Sequence, residues 1–290
     1  MHKKLYKSII DELCPEGNWK LRCSIEKLLN AKINQLPCRD VTGEETRYPT
    51  DRASMKAFLE TFFARHYFQV QKSLVEYLTS SEFYDSLTTK EFNILDIGSG
   101  PAVASLAVTE MLDCILGARN EAGIHKLRVN YVLNDTENIC LGIDQELLRN
   151  YFRSQSPQRI SCGHVFSMEK GFPSNFGQLE RVARNLGLYD LIILSYVLKP
   201  LHNDLGLKNI ANALSMLQGI SKPNGRIMII QDKFSKALVG NVSRLIGQSF
   251  KKETLAQHIY SENNDNETYT YSYYTCLFAP TGLSVNARAV

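Results

Sequence analysis

Apolar residues recur three and four positions apart through the first 80 residues, then give way to short continuous runs separated by amphipathic stretches. The helical spacing predicts one helix over Lys4 to Leu13, stopped by Cys14-Pro15-Glu16-Gly17, and a second over Trp19 to Leu29. Two prolines and a glycine predict a loop from Leu36 to Pro49. Thr50 or Asp51 then caps a long helix with the stripe Met55, Phe58, Leu59, Phe62, Phe63, Tyr67, Val70, Leu74 and Leu78.

Beyond residue 90 the runs read as strands. Phe92 to Ile97 is the first, followed by a glycine turn and a helix from about Pro101. Arg128 to Leu133 is the second, with a helix over Glu137 to Phe152. His164 to Phe166 is a short third strand, Asp190 to Ser195 the clearest, and Arg226 to Ile230 another. Helices of this length between strands imply parallel pairing through crossovers. The alternating, tyrosine-rich stretch Thr268 to Phe278 predicts a final antiparallel strand. The expected fold is α/β, a doubly wound, mostly parallel sheet with a helical N-terminal cap. It divides near residue 90 into a cap or substrate region (1–90) and a main domain (91–290).

Composition narrows the class. With 290 residues, 44% hydrophobic and 22% charged, the chain can bury a sizeable core, and 33 basic against 30 acidic residues leave +3. That balance excludes a strongly polycationic nucleic-acid binder, though not a local basic groove. No window reaches the roughly 18 apolar residues of a membrane span, since Ala102 to Leu116, the richest stretch, contains Thr109, Glu110 and Asp113. Acids interrupt the lysine-bearing N-terminus before any apolar core forms, so a secretory signal is not expected. Seven cysteines lie scattered with no C-x-x-C pair. Reduced core thiols in a cytoplasmic protein, with no metal site, are the expectation.

The segment with most chemistry is Ile94-Leu95-Asp96-Ile97-Gly98-Ser99-Gly100-Pro101-Ala102. A strand ends in a carboxylate, two glycines let the backbone pass close to a ligand, and a helix N-terminus offers N–H groups. A dinucleotide site would place a third glycine where Val103 stands. Asp96 before the turn would repel a pyrophosphate and attract a cationic amine, which points to an amino-acid-bearing nucleoside.

On these residues the chain resembles class I S-adenosylmethionine-dependent methyltransferases over roughly residues 90–280. The resemblance implies a seven-stranded sheet and S-adenosylmethionine held by Asp96, Gly98, Ser99, Gly100 and Pro101. It implies ribose binding at Asp135 and Thr136, where Asn134-Asp135 closes the second strand, and adenine binding at Met168 and Glu169. Ser195, ending the fourth strand, would face the cofactor and methyl acceptor. Ser221-Lys222-Pro223-Asn224-Gly225-Arg226 resembles the family's turn before the fifth strand, with Asn224 and Arg226 replacing glycines. Cys140-Leu141-Gly142-Ile143-Asp144 also looks like a strand ending in an acid, so Asp144 is the alternative ribose ligand. The phrase Asp-Ile-Gly-Ser-Gly-Pro is similar to nicotinamide/phenylethanolamine N-methyltransferases and to a ribosomal small-subunit-associated methyltransferase-like family. From the latter it departs, because Cys276 alone replaces a C-terminal cysteine cluster.

No [ND]-P-P-[YFW] tetrapeptide follows the fourth strand and no Pro-Cys pair occurs, which argues against the amino-adenine and cytosine C5 routes. The expected reaction is in-line methyl transfer to an N or O nucleophile of a small molecule or RNA, with no DNA or membrane partner. Tyr196, Lys199 and His202 are candidates near the acceptor, and Tyr196 and His202 are the assigned catalytic pair. Each has a plain alternative: Tyr196 as pocket wall, Lys199 as a solvated charge, His202 as cap of a helix at Asn203–Leu205. Arg65-His66-Tyr67 reads either as acceptor binding or as core. Lys3, Lys4 and Lys7 read as RNA contacts or as a solvated face. The rival function is a non-catalytic protein of this fold acting in assembly or partner binding.

Overall fold

The computed structural model describes residues 2–15, 19–80, 83, 90–119, 126–154, 159–264 and 267–281. The chain forms two compact units, Met1–Gly171 and Phe172–Val290.

In the first unit, helices α1 (His2–Leu13), α2 (Cys23–Asn34), α3 (Gly43–Arg47) and α4 (Arg52–Leu78) precede three parallel strands. These are β1 (Glu91–Ile97), β2 (Leu127–Asn134) and β3 (Ile160–Met168), with α5 (Val103–Arg119) and α6 (Asn138–Ser154) as crossovers. In the second unit, α7 (Phe176–Leu186) leads to β4 (Tyr189–Ser195). Next come α8 (Leu198–Leu205), α9 (Leu207–Met216), β5 (Ser221–Asp232), α10 (Lys236–Leu245) and the hairpin β6 (Phe250–Asn264) and β7 (Glu267–Pro280). β4 and β5 are parallel, while β7 runs antiparallel to both β5 and β6. All seven strands belong to one sheet, ordered β3-β2-β1-β4-β5-β7-β6.

Capping chemistry sets the helix starts. The Asp51 side chain accepts from Ala53 N–H and Ser54 N–H at 2.9 and 2.8 Å, and Ser54 answers the Asp51 N–H, so Asp51 is the cap of α4. The expected loop before it contains α3. Its signal was Thr42-x-x-Glu45, a capping box in which Thr42 N–H donates to Glu45 and Glu45 N–H to the Thr42 hydroxyl. The expected second helix starts later, at Cys23. Trp19 lies in the extended lead-in, its ring 6.2 Å from Phe68, because packing against α4 overrides its helical spacing. β6 was missed: an edge strand that opens Phe250-Lys251-Lys252-Glu253 lacks a clear apolar alternation. The Ser221–Arg226 turn is the first part of β5, where the register shifts opposite Tyr189 and Leu191. A Cβ on Gly225 would sit 2.7 Å from the Tyr189 carbonyl oxygen, which explains glycine there.

The face of α4 is structural. Tyr67 is buried, and its O–H donates to Glu110 Oε2 on α5 at 2.6 Å, joined by Gln71 Nε2 at 3.0 Å. Arg22 approaches the other Glu110 oxygen at 3.8 Å and bonds Glu12 at 2.9 Å. This network ties the N-terminal helices to α5, and burial raises the Glu110 carboxyl pKa. His66 stacks on Phe62, and burial pushes its pKa down to about 3. On α1, Leu5, Ile9 and Leu13 are buried whereas Lys3, Lys4 and Lys7 are exposed. The thiols are only partly core: Cys114, Cys140 and Cys276 are buried, but Cys23 and Cys38 are exposed. Among the described residues no helix is long and apolar enough to cross a membrane.

Candidate cofactor and acceptor sites

The turn after β1 is held from β2. Gly98 and Gly100 adopt φ of 67° and 53°, and Ala102 follows at 57°, a left-handed conformation that is strained for a residue with a Cβ. Gly98 N–H and Ser99 N–H both donate to the Asn134 carbonyl, at 2.7 and 3.0 Å, and Gly100 N–H donates to Asp135 Oδ2 at 2.9 Å. These turn donors are therefore engaged by the end of β2. The Asn134 amide in turn donates to the carbonyls of Met168 and Lys170, at 2.9 and 2.7 Å. Asn138 Nδ2 bonds Glu169 Oε1 at 2.5 Å. Asp96, Gly98, Ser99, Gly100, Pro101, Asp135, Met168 and Glu169 thus meet where β1, β2 and β3 end. Thr136 is exposed next to Asp135, and a Cβ on Gly171 would sit 2.8 Å from its methyl carbon.

Three carboxylates surround this turn. Asp96 is 1% exposed; its Oδ2 accepts from Ser105 N–H at 3.2 Å and Ser105 O–H at 2.8 Å, while Oδ1 has no partner among the described residues. Burial pushes its pKa up to about 7, with the Ser105 bonds opposing and Asp135 adding. Asp144 lies inside α6, so the alternative strand at Cys140–Asp144 does not form. It is fully buried and accepts the Ser99 hydroxyl at 3.0 Å through Oδ2, while Oδ1 again lacks a partner. Burial pushes its pKa up to about 9. Asp135, half-buried, accepts from Glu137 N–H at 2.9 Å, and burial raises its pKa against these bonds.

The raised values carry a stability consequence. Both acids are protonated more readily in the folded chain than in the unfolded one, where an aspartate titrates near about 4. Their favourable contribution is complete below that value. It is lost as pH rises, through about 7 for Asp96 and about 9 for Asp144. The melting temperature should therefore fall between pH 6 and pH 9.5. Asp144→Asn, a near-isostere of the protonated acid, should remove the upper part of that fall. Thermal unfolding across this range decides it, and an unchanged profile in the variant would refute the assignment.

The remaining sequence-derived residues lie in the second unit. Ser195, half-buried, ends β4 opposite Ile230. Tyr196 follows at φ 62°, its N–H donating to the Ile230 carbonyl at 2.8 Å. A bulky residue in this region is unusual and recurs where function over-determines the backbone. His202 does not cap a helix start. It lies exposed in the last turn of α8, its carbonyl accepting from Gly206 N–H at 2.9 Å. Lys199 is exposed at the start of the same helix. Sequence reasoning missed Ser105 as the partner of Asp96, and it missed Gln231. The Gln231 side chain is fully buried at the end of β5 with neither amide atom partnered among the described residues.

No protein-family model matches the chain, and no curated protein matches it by sequence. Solved structures do align. Precorrin-6y C5,15-methyltransferase from Geobacter metallireducens GS-15 is 11% identical, covering 85% of this chain and 100% of its own, with a TM-score of 0.45. The C-terminal domain of precorrin-6Y C5,15-methyltransferase from Rhodobacter capsulatus is 12% identical, covering 67% and 82%, with a TM-score of 0.38. Precorrin 8w decarboxylase from Methanobacterium thermoautotrophicum is 12% identical, covering 66% and 82%, with a TM-score of 0.37. With seven strands in one mostly parallel sheet and the Asp96-x-Gly98-x-Gly100 turn closing β1, the chain has a doubly wound α/β fold.

Proposed function

We propose that this protein is an S-adenosylmethionine-dependent methyltransferase acting on an N or O nucleophile. The observation that carries the reading is the buried, unpartnered Oδ1 of Asp96 beside a turn of positive-φ glycines. A buried carboxylate oxygen without a donor is unfavourable unless a ligand supplies one. An ammonium group does so, and a Cβ on Gly100 would meet nothing within 4 Å, so there is open space beside the turn. The residues present therefore fit this cofactor. When bound, the cofactor supplies a methyl group made electrophilic by a sulfonium.

The chain's own residues then bind and align. Asp96 holds the amine, Asp135 with Thr136 takes the ribose hydroxyls, Met168 and Glu169 flank the adenine, and Ser195 faces the reacting group. Tyr196 lines the acceptor site. His202 takes a proton where the acceptor must lose one. Alignment alone removes several kcal/mol of barrier. Residues 1–90 are assigned as a helical cap or substrate region, consistent with the Tyr67–Glu110 network that fixes α4 on α5. A reducing, cytoplasmic setting suits the exposed thiols of Cys23 and Cys38.

Calorimetric titration with S-adenosylmethionine or S-adenosylhomocysteine tests this directly: saturable binding is expected, and none would overturn the reading. That negative result would instead favour a non-catalytic protein of the same fold, for which the internally satisfied turn donors are the supporting observation. Radiolabelled methyl transfer into extract fractionated into RNA, protein and small molecules identifies the acceptor class.

Tyr196→Gly separates backbone from side chain. Relief of the left-handed strain, about 1–2 kcal/mol, should hold or raise the melting temperature. Loss of the ring should lower kcat/KM for the acceptor about tenfold or more, a barrier change of roughly 1.4 kcal/mol or above. Cofactor affinity should stay within about twofold, since a 1.4 kcal/mol loss would already be tenfold. A loss of cofactor affinity instead would move Tyr196 out of the acceptor role.

A further inference from the structure

Of the three acids around the Gly98–Gly100 turn, Asp144 is the one that cofactor binding as described leaves without a task. It stands in α6, fully buried, with Oδ2 3.0 Å from Ser99 Oγ and with Oδ1 lacking a partner among the described residues. The titratable groups that face it are acids and a thiol: Asp96 at the end of β1, Asp135 just past β2, and Cys140 one turn earlier in α6. No cation pairs with it among the described residues, and Lys32 of α2 bonds Glu146 instead.

A carboxyl group so placed is held neutral. Burial pushes its pKa up to about 9, with the Ser99 hydroxyl and the Gln145 backbone N–H opposing and the two neighbouring carboxylates adding. A neutral carboxyl carries an O–H, and a buried donor left without an acceptor is unfavourable. The acceptor that this side chain meets is Ser99 Oγ. An ionised Asp144 would take up the Ser99 O–H as acceptor. The neutral acid donates its own proton to Ser99 Oγ and leaves the Ser99 O–H turned elsewhere.

Ser99 sits between Gly98 and Gly100, both partly exposed, and a Cβ on Gly100 would meet nothing within 4 Å. The backbone N–H groups of all three residues are already taken, by the Asn134 carbonyl and by Asp135. A ligand whose ammonium pairs with Asp96 and which also carries a carboxylate therefore finds no backbone donor among these residues. The Ser99 hydroxyl is the donor that the turn still offers, and its bond to Asp144 is the one it makes among the described residues. We propose that Asp144 is a positioning residue: it donates to Ser99 Oγ and so aims the Ser99 hydroxyl at the carboxylate of the bound cofactor. The inference rests on the methyl-transfer reading for the identity of that ligand, and adds how the site distinguishes a nucleoside with a carboxylate from one without.

Calorimetric titration of the full chain with S-adenosylhomocysteine and with its decarboxylated counterpart tests it. The ratio of the two dissociation constants reads the carboxylate alone. The unmodified protein should favour S-adenosylhomocysteine, and Ser99→Ala should shrink that preference about tenfold while leaving the decarboxylated ligand within about twofold. From pH 7.5 to pH 9.5 the preference should fall about fourfold, since roughly a quarter of an acid with a pKa near 9 stays neutral at the upper value. In Asp144→Asn the amide Nδ2 donates to Ser99 Oγ at every pH, so the preference at pH 7.5 should be kept within about twofold and its fall should vanish. Titration of the ligand's own amine is common to both proteins and cancels in the comparison. An unchanged preference in Ser99→Ala, or the same fall with pH in Asp144→Asn as in the unmodified protein, would overturn the proposal and leave the methyltransferase reading standing. Absence of binding by either ligand would retire that reading and the proposal with it. Tight binding of the decarboxylated ligand alone would also overturn the proposal.

Discussion

Asp96→Ala is expected to abolish measurable S-adenosylmethionine binding. Truncating one partner of a buried hydrogen-bonded charge pair costs about 2–5 kcal/mol, or roughly thirtyfold to several thousandfold in affinity. Part of the alanine effect would be structural, because Asp96 Oδ2 also accepts from Ser105 N–H and O–H in the first turn of α5. Asp96→Asn isolates the charge. Its amide oxygen can still accept those bonds, so the melting temperature should hold while affinity falls. The pH dependence follows from the same group. With its pKa pushed up to about 7, Asp96 must lose a proton to engage a cation, so affinity should rise about tenfold per pH unit below 7 and level off above it. Calorimetry between pH 5.5 and 8.5 reads this slope. A pH-independent affinity, or full affinity in Asp96→Asn, would remove Asp96 from the cofactor site.

Gly163→Ala should be the most damaging small substitution in the first unit. A Cβ there would lie 2.0 Å from Asn130 Oδ1 and 2.8 Å from Arg128 Cγ. Asn130 cannot turn aside without loss. It is 1% exposed, donates through Nδ2 to Asn93 Oδ1 at 2.8 Å, and accepts His164 N–H at 2.8 Å. This chain of amides crosses β1, β2 and β3 beside the bulge between Val129 and Tyr131. Overpacking at about 1–3 kcal/mol, plus stranded buried polar groups at about 1–3 kcal/mol, gives a loss of roughly 3 kcal/mol or more. In a chain of this size that lowers the melting temperature by about 6–12 °C. Gly142→Ala is the control. A Cβ there meets nothing within 4 Å inside α6, and the change should stabilise by about 0.5–1 kcal/mol. Equal melting temperatures for the two variants would remove the steric argument.

The sequence-legible features were those written within a few residues. The run Ile94-Leu95-Asp96-Ile97 followed by glycines announced both β1 and its turn, and Asp51 announced the start of α4. The order of strands and crossovers from residue 90 onward, the edge strand β6 apart, followed from run length and spacing. Where two readings shared one local pattern, the local signal failed. Cys140 to Asp144 is too short a run to set a period, so it left a strand open as the alternative to the helix expected over Glu137 to Phe152, and the helix is what forms. Trp19 has helical neighbours but packs on Phe68, 49 positions away. The Thr42–Glu45 capping box was legible and was overlooked in a segment rich in proline and glycine.

Apart from α3 and β6, the sequence by itself thus determined the kinds of element, their order, and the turn at which a carboxylate meets two glycines, because φ/ψ preference, capping and periodicity act over one to four residues. Tertiary structure decided what those groups can do. It set Asp144 against Ser99, 45 positions apart, closed the donors of the Gly98–Gly100 turn onto Asn134 and Asp135, and left Asp96 Oδ1 and the Gln231 amide without partners. Burial, and the neighbours that accompany it, govern proton affinity and unmet hydrogen bonds, and both are properties of distant segments brought together.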